Sequence, residues 1–283
     1  VDAVSQSFVS TAADVSAVKE AAAAHAAQPF VIAKIERARA LQNLDEILAV
    51  ADGLMVARGD LGVELPIAEM AIVQKDIMRA ANRHGKPVIT ATQMLESMTA
   101  HRRPTRAEAT DVANAILDGT DAVMLSAESA MGRYPVEAVA MLAEIAAATE
   151  PRRPRAPFDR RAPEDVSVRD LIARSIHHAV ESLNPAVVVV PTRSGSMARS
   201  VTRFRLPTWI LAFSKGHATC QALQFSYGVQ PVPVDAEAGD WTPFLRSWIR
   251  AQGIKDGLAV LAQGPSEEYP CGNHRMEIVD LGL

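Results

Sequence analysis

The stretch Phe30-Val31-Ile32-Ala33-Lys34-Ile35-Glu36 and its successor Gly53-Leu54-Met55-Val56-Ala57-Arg58-Gly59-Asp60 decide the fold class. Each is an apolar run that ends on charged residues, and the amphipathic segment Leu44–Val50 lies between them. Neither run alternates apolar with polar residues, which is how strands buried on both faces of a parallel sheet read. Outward from this pair the same unit recurs. Strand-like runs are expected at Ala3–Val9, Phe30–Ile35, Gly53–Val56, Pro87–Thr90 and Ala122–Leu125. Helical patterns follow them at Ala12–His25, Leu44–Val50, Ala68–His84, Arg106–Leu117 and Pro135–Thr149. Thr105 and Glu108 have capping-box spacing, with Asn43 and Glu46 as a looser version. Gly85 and Gly119 stand where a left-handed residue closes a helix, and Pro135 suits a first helical position.

Such a β-α series is either part of a (β/α)8 barrel or an open doubly wound sheet. A barrel needs eight strands and about 250 residues, and five strand runs precede residue 150. Pattern alone leaves an open sheet and an incomplete barrel both standing. Residues 151–165 are rich in Pro and Arg and are read as a linker, because prolines stop helix and sheet alike. Residues 166–283 then form a second, smaller α/β pattern. It has helices at Val168–Leu183, Ser196–Phe204, Ala218–Phe225 and Trp241–Gln252. Its strands are Ala186–Val190, Trp209–Ala212, Val229–Val234, Leu258–Gln263 and Arg275–Val279.

A formal net charge of −4, with no Lys/Arg stripe interleaved with aromatics, argues against a nucleic-acid partner. No apolar run approaches the roughly 20 residues that cross a bilayer, and Val1–Thr11 lacks the basic and apolar regions of a signal peptide. A cytoplasmic protein without a membrane partner is expected. Cys220 and Cys271 are far apart and lack metal-ligand spacing, so reduced, buried thiols are expected.

Lys34 and Glu36 stand two apart at a strand end, which puts both on one face. They are either a salt-bridged pair or a functional pair facing the carboxyl-end rim where α/β active sites form. Asp60, between Gly59 and Gly62, suggests a tight loop that lets backbone N–H groups approach a ligand, or a plain turn. Glu36 with Asp60 makes a hard, all-oxygen partial site that suits Mg²⁺. Thr92 lies just past the next strand and reads as a cap or as a hydroxyl reaching the same rim. Glu128 is a further rim acid or a partner for a basic residue, and His177 and His178 read as structural. A Lys, two carboxylates and a hydroxyl at adjacent strand ends suit phosphoryl transfer or enolate chemistry. No Walker A, dinucleotide or H-E-x-x-H motif is present.

The segments Ile32–Glu36, Met55–Glu64, Ile89–Met98, Arg103–Glu108, Asp111–Ile116 and Met124–Ser126 resemble pyruvate kinase motifs in that family's order. The resemblance covers nearly all of residues 1–150 and, more loosely, the second domain. It implies an incomplete (β/α)8 barrel of about five units followed by the family's C-terminal α/β domain. It further implies transfer of phosphate from phosphoenolpyruvate to ADP, giving pyruvate and ATP. By that resemblance Lys34 stabilises the phosphoryl group in transfer, and Glu36 and Asp60 hold Mg²⁺ or Mn²⁺. Ala57, Gly59 and Asp60 receive the substrate carboxylate, and Thr92 sits where the enolpyruvate carbon is protonated. K⁺ is also implied, with its ligands in family segments outside this sequence.

The chain opens at Val1 and reads as strand by Ala3, so a fragment or truncated product is expected, without the first barrel strands and the inserted lid. Little phosphotransferase activity by itself is expected of such a chain. Ala127 and Ser129 stand where Gly and Thr are commoner in the family. Thr192, Arg193, Ser194 and Ser196 resemble the family's effector loop for a sugar phosphate. The companion loop Gly264–Tyr269 carries Glu267 and Glu268, which repel phosphate. By analogy the family forms tetramers. Two rival readings are a non-catalytic phosphometabolite-binding remnant and a class I aldolase with Lys34 as Schiff base.

Overall fold

The structure, a computed structural model, describes residues 1–153, 167–235, 240–264 and 274–282. The chain divides into two compact units, Val1–Phe158 and Asp159–Leu283. The expected linker lies outside the described residues from residue 154 on. Before that point Pro151 does not stop the chain, because Glu150–Arg152 form a 3-10 turn that continues the preceding helix.

Unit 1 runs β1 (Ala3–Gln6), α1 (Ala12–Ala23), β2 (Phe30–Ile35), α2 (Ala38–Gln42), α3 (Leu44–Val50) and β3 (Gly53–Ala57). It continues through α4 (Arg58–Glu64), α5 (Met70–Arg83), β4 (Val88–Ala91) and α6 (Arg106–Asp118). It ends with β5 (Ala122–Val123), α7 (Ala127–Ala130) and α8 (Pro135–Thr149). The five strands are all parallel and lie in sequence order. A doubly wound sheet reverses its strand order at a switch point, whereas here every crossover moves one place the same way. The sheet is therefore barrel-like, and it does not close: β1 and β5 are its edges. The continuous apolar runs are explained by burial, complete along β3 and β4.

Helix ends follow local chemistry. Gly119 closes α6 at φ 96°, a conformation that costs a side-chain-bearing residue strain. The Thr105–Glu108 capping box is formed. Asn43 is a correction: at φ −112° and ψ 19° its backbone is not in the extended conformation of an N-cap, it makes no cap bond, and it donates its amide to the Ser10 carbonyl at 2.9 Å. At the amino ends of the strands two aspartates act alike. Asp52 accepts the Val31 N–H at 2.9 Å and Asp121 accepts that of Val88 at 3.0 Å. Each of their own N–H groups donates back to the same residue's carbonyl.

Unit 2 runs α9 (Val168–Leu183), β6 (Val187–Pro191), α10 (Ser196–Thr202), β7 (Ile210–Ser214), α11 (His217–Leu223) and β8 (Val229–Pro233). It ends with α12 (Trp241–Ala251), β9 (Leu258–Gln263) and β10 (Arg275–Asp280). Its sheet has the order β10-β9-β6-β7-β8, with only β10 antiparallel. One core packs α9 and α10 on the sheet, and a second packs α12 with Phe213 at its centre. His177 is buried and stacks on Phe204 at 5.1 Å. Burial pushes its pKa down against the opposing pull of Glu181, so it is a neutral core residue. Cys220 is a buried free thiol whose pKa burial raises; Cys271 lies outside the described residues.

Glu108 ties α6 to the turn after β4. Its carboxylate accepts from Ser97 N (2.7 Å), Ser97 Oγ (2.5 Å), Thr105 N (2.7 Å) and Thr105 Oγ1 (2.9 Å). Burial opposes its ionisation, but these bonds together hold its pKa below the ordinary value. A depressed folded pKa means stability that is present above the unfolded-state pKa and lost as pH falls through the folded one. Glu108→Gln should therefore lower stability by about 1 kcal/mol at pH 7. The gap between its urea midpoint and that of the unaltered chain should shrink as pH falls below the ordinary carboxylate range, as urea titrations at a series of acid pH values would show.

Candidate active site

Because the five strands of unit 1 run one way, the segments leaving their carboxyl ends share a rim. At the exit of β2, Lys34 and Glu36 do share a face: the Lys34 ammonium is 2.6 Å from Glu36 Oε1 and 3.0 Å from Ser7 Oγ. Glu36 is 2% exposed, and its other oxygen accepts the Phe8 N–H at 2.6 Å. Two of the three ammonium donors are thus used, and one remains for a ligand. Phe8 sits at φ 55°, an outlier for a bulky residue, with the Arg37 guanidinium 5.1 Å above its ring.

The exit of β3 differs from expectation. No tight loop forms; the chain passes directly from β3 into α4, with Asp60 in its first turn. Gly59 and Gly62 cost a helix roughly 1 kcal/mol each relative to Ala. Leu61, fully buried, gains more than either loses (about 1.5–3 kcal/mol for full burial of a Leu side chain). Asp60 is exposed. Among the described residues no hydrogen bond or ion pair engages its carboxylate.

Thr92, at the exit of β4, serves as a cap across strands. Its Oγ1 accepts the Gly59 N–H at 3.0 Å and donates to the Ala91 carbonyl at 2.7 Å. Thr92 and Gln93 are both left-handed, at φ 66° and 53°, and a β-branched residue there is strained. Arg58, which the sequence reading passed over although it stands inside a quoted motif, holds this turn. Its guanidinium donates to the Thr92 carbonyl at 2.7 Å and to that of Gln93 at 3.3 Å, and pairs with Asp111 at 2.6 Å. The signal for Asp111 was an acid on the half-buried side of α6.

Glu128 is corrected on both earlier alternatives. It is fully buried and forms no ion pair among the described residues. It accepts the N–H groups of Leu95 (3.0 Å) and Ser126 (2.8 Å). The reason is local: burial leaves these amides no water, so a carboxylate takes its place.

Among the described residues no cluster of three or more His, Cys, Asp or Glu could hold a metal by itself. Glu36, with one partner on each oxygen, keeps lone-pair capacity, and Asp60 is open. Carboxylates of this kind are the donor type of Mg²⁺, which takes one or two of them and completes its shell with water and substrate oxygens.

In unit 2, Thr192, Arg193, Ser194 and Ser196 line a cleft of about 630 Å³ together with Arg169 and Lys215. The cleft stands at the carboxyl ends of β6 and β7, where strand order reverses between β9 and β6, the usual ligand position in open α/β sheets. Thr192 Oγ1 accepts the Gly195 N–H at 2.9 Å and closes the turn. Of the companion loop only Gly264 lies among the described residues; Glu267 and Glu268 lie outside them.

The pyruvate kinase barrel-domain model matches residues 1–139, and the pyruvate kinase alpha/beta-domain model matches residues 170–265. The chain belongs to the pyruvate kinase family. It is 45% identical to the pyruvate kinase of Thermococcus litoralis over 99% of this chain and 60% of that relative. It is 47% identical to that of Geobacillus stearothermophilus over 81% of this chain and 40% of that relative. A crystal structure of a Cryptosporidium parvum pyruvate kinase superposes with a TM-score of 0.91 at 32% identity, over 99% of this chain and 59% of that one. The chain thus spans 60% or less of the length of these relatives. No helix among the described residues is long and apolar enough to cross a membrane.

The Arg58 fork predicts a non-conservative outcome for a conservative change. Arg58→Met and Arg58→Lys should both lose about 1–3 kcal/mol in urea denaturation, since a point charge cannot serve two carbonyls and a carboxylate as the planar fork does. A Lys variant as stable as the native chain would show that charge alone suffices.

Proposed function

We propose that the unit 1 rim is the phosphoryl-transfer face of a pyruvate kinase, acting on phosphoenolpyruvate and ADP. The observation that carries this is the Lys34 ammonium, 2.6 Å from the buried Glu36 carboxylate with one donor unspent. In the reaction the bond between phosphorus and the enol oxygen breaks, and an ADP phosphate oxygen takes the phosphoryl group. The resulting enolate accepts a proton at its methylene carbon. Lys34 would stabilise the charge on the moving phosphoryl oxygens. The Thr92 hydroxyl, oriented by Gly59, would sit on the path of the proton. The backbone around Ala57, Gly59 and Asp60 at the start of α4 would receive the substrate carboxylate, with the Gly59 N–H shared with Thr92 Oγ1. Glu36 and Asp60 would hold Mg²⁺ or Mn²⁺, which neutralises phosphate charge when bound. The domain scheme follows: residues 1–150 as part of the catalytic barrel and 166–283 as the C-terminal domain. A homotetramer in the cytoplasm is the family-based assembly.

The Lys34–Glu36 pair disfavours the aldolase reading. A Schiff-base lysine works as a neutral, desolvated amine, whereas Lys34 is ion-paired and its side chain is 24% exposed. For unit 2 the three cations around the cleft, Arg169, Arg193 and Lys215, favour a phosphorylated effector.

The test of the main reading is a lactate-dehydrogenase-coupled assay with phosphoenolpyruvate, ADP, Mg²⁺ and K⁺, beside equilibrium binding of phosphoenolpyruvate. Lys34→Met should reduce turnover by about 10²–10³-fold and Thr92→Val by about 100-fold. Phosphoenolpyruvate bound without turnover would instead support the binding-remnant reading. For the cleft, Arg193→Ala should weaken binding of a sugar bisphosphate by about tenfold, read by calorimetry; unchanged affinity would leave Arg193 without that role.

A further inference from the structure

Glu128 is a fully buried carboxylate that the proposed chemistry does not use. Its position is unusual in one respect: its two oxygens serve two different strand exits. Oε1 accepts from Leu95, three residues past Thr92 on the β4 exit, and Oε2 accepts from Ser126, at the β5 exit. The segments around it are pressed together. A Cβ at Gly132 would lie 2.5 Å from the Glu128 carbonyl and 3.1 Å from the Thr99 Cα, and the Arg133 N–H donates to the Thr99 carbonyl at 2.9 Å. Met94, Leu95 and Met98 are fully buried in the same place. The turn Thr92-Gln93 is thus held at its own carbonyls by Arg58 and just beyond it by Glu128. It carries two consecutive left-handed residues, which relax to ordinary backbone angles unless both ends are held.

We infer that Glu128 is a positioning residue for Thr92: by holding the Leu95 N–H it keeps the left-handed turn in place and aims the Thr92 hydroxyl at the rim. It touches no substrate. The inference rests on the reading of Thr92 as the proton-path hydroxyl, and its test separates the two. Glu128→Gln keeps the shape but turns an NH₂ toward one of the two N–H donors, whereas Glu128→Asp keeps the charge on a shorter stem. The full chain is labelled at the threonine methyls and backbone amides. In Glu128→Gln the Leu95 amide should exchange at least tenfold faster, and the Thr92 methyl and Gly59 amide resonances should shift. Amides of β2 and β3 away from Gly59 should be unaffected. Glu128→Asp should restore part of the Thr92 shift. In the coupled assay Glu128→Gln should lower kcat at least tenfold, a larger change than in KM for phosphoenolpyruvate, because the ground-state contact of Lys34 is untouched.

If the Leu95 amide loosens while the Thr92 and Gly59 resonances stay in place, the inference is overturned, whatever the activity. If the resonances move as expected but Lys34→Met and Thr92→Val leave turnover unchanged, the functional reading fails and the positioning of Thr92 by Glu128 stands. A variant that does not fold leaves Gly132→Ala as the second probe. It strains the same junction without removing the carboxylate, and should shift the Thr92 methyl in the same direction; an unmoved methyl counts against the inference.

Discussion

Parallel strands end in backbone N–H groups that the sheet ladder no longer satisfies, and a buried one must find an acceptor. In unit 1 side-chain oxygens supply it, and they do so between neighbours. Glu36 takes the N–H of Phe8, Glu64 takes that of Ala38 at 2.7 Å, Thr92 takes that of Gly59, and Glu128 takes those of Leu95 and Ser126. Each adjacent pair of strand exits is therefore tied. At the opposite ends Asp52 and Asp121 do the same for β2 and β4. A carboxylate accepting backbone N–H groups is a charge-assisted bond, roughly twice as strong as a neutral one, and it fixes geometry as well as energy.

That arrangement explains where strain can be stored. Phe8, Thr92 and Gln93 are the non-glycine residues of the rim with positive φ, and each is held by at least one tie. Phe8 is held by its own N–H on Glu36. The Thr92-Gln93 pair is held by Arg58 at its carbonyls and, beyond Met94, by Glu128. Strain of about 1–3 kcal/mol per residue persists only where surroundings over-determine the backbone, and here they do. The same ties decide which acid is left for a ligand. Glu64, Glu108 and Glu128 are committed to backbone groups, Glu36 is shared with Lys34, and Asp60 stands exposed, with no partner on its carboxylate among the described residues.

Much of this was legible in the residues. The helices Leu44–Val50, Pro135–Thr149 and Val168–Leu183 and the strands Phe30–Ile35 and Leu258–Gln263 have the expected bounds, because caps and apolar runs report local preferences. What was not legible depended on partners distant in sequence. Arg58-Gly59-Asp60 looked like a loop because glycine breaks helices locally, and it became α4 because Leu61 is buried by the fold. Asn43 has cap chemistry but donates to the Ser10 carbonyl. Nothing in Thr92-Gln93 announces a left-handed pair, since neither residue favours it; the conformation is imposed by Arg58, thirty-four positions away. Glu128 looked like a rim acid because its type and place allow one, and only burial decides otherwise.

The two units place their candidate sites by different rules. In unit 1 the strand order never reverses, so no crevice is opened by topology, and the rim must be built from side chains that the ties hold in place. In unit 2 the order reverses beside β6, and the crevice exists before any side chain is considered. Thr192 Oγ1 accepts the Gly195 N–H and Ser194 donates to Ser196, and Arg169, Arg193 and Lys215 add positive charge to the cleft lining. A site made by topology tolerates variation in its lining, because losing one cation weakens a ligand without moving the others. A site made by ties does not, because Glu36, Arg58 and Glu128 each hold a neighbour, and losing one displaces a residue it was holding. Changes at unit 2 should thus tune affinity one contact at a time, while changes at the unit 1 rim act through the residues next door.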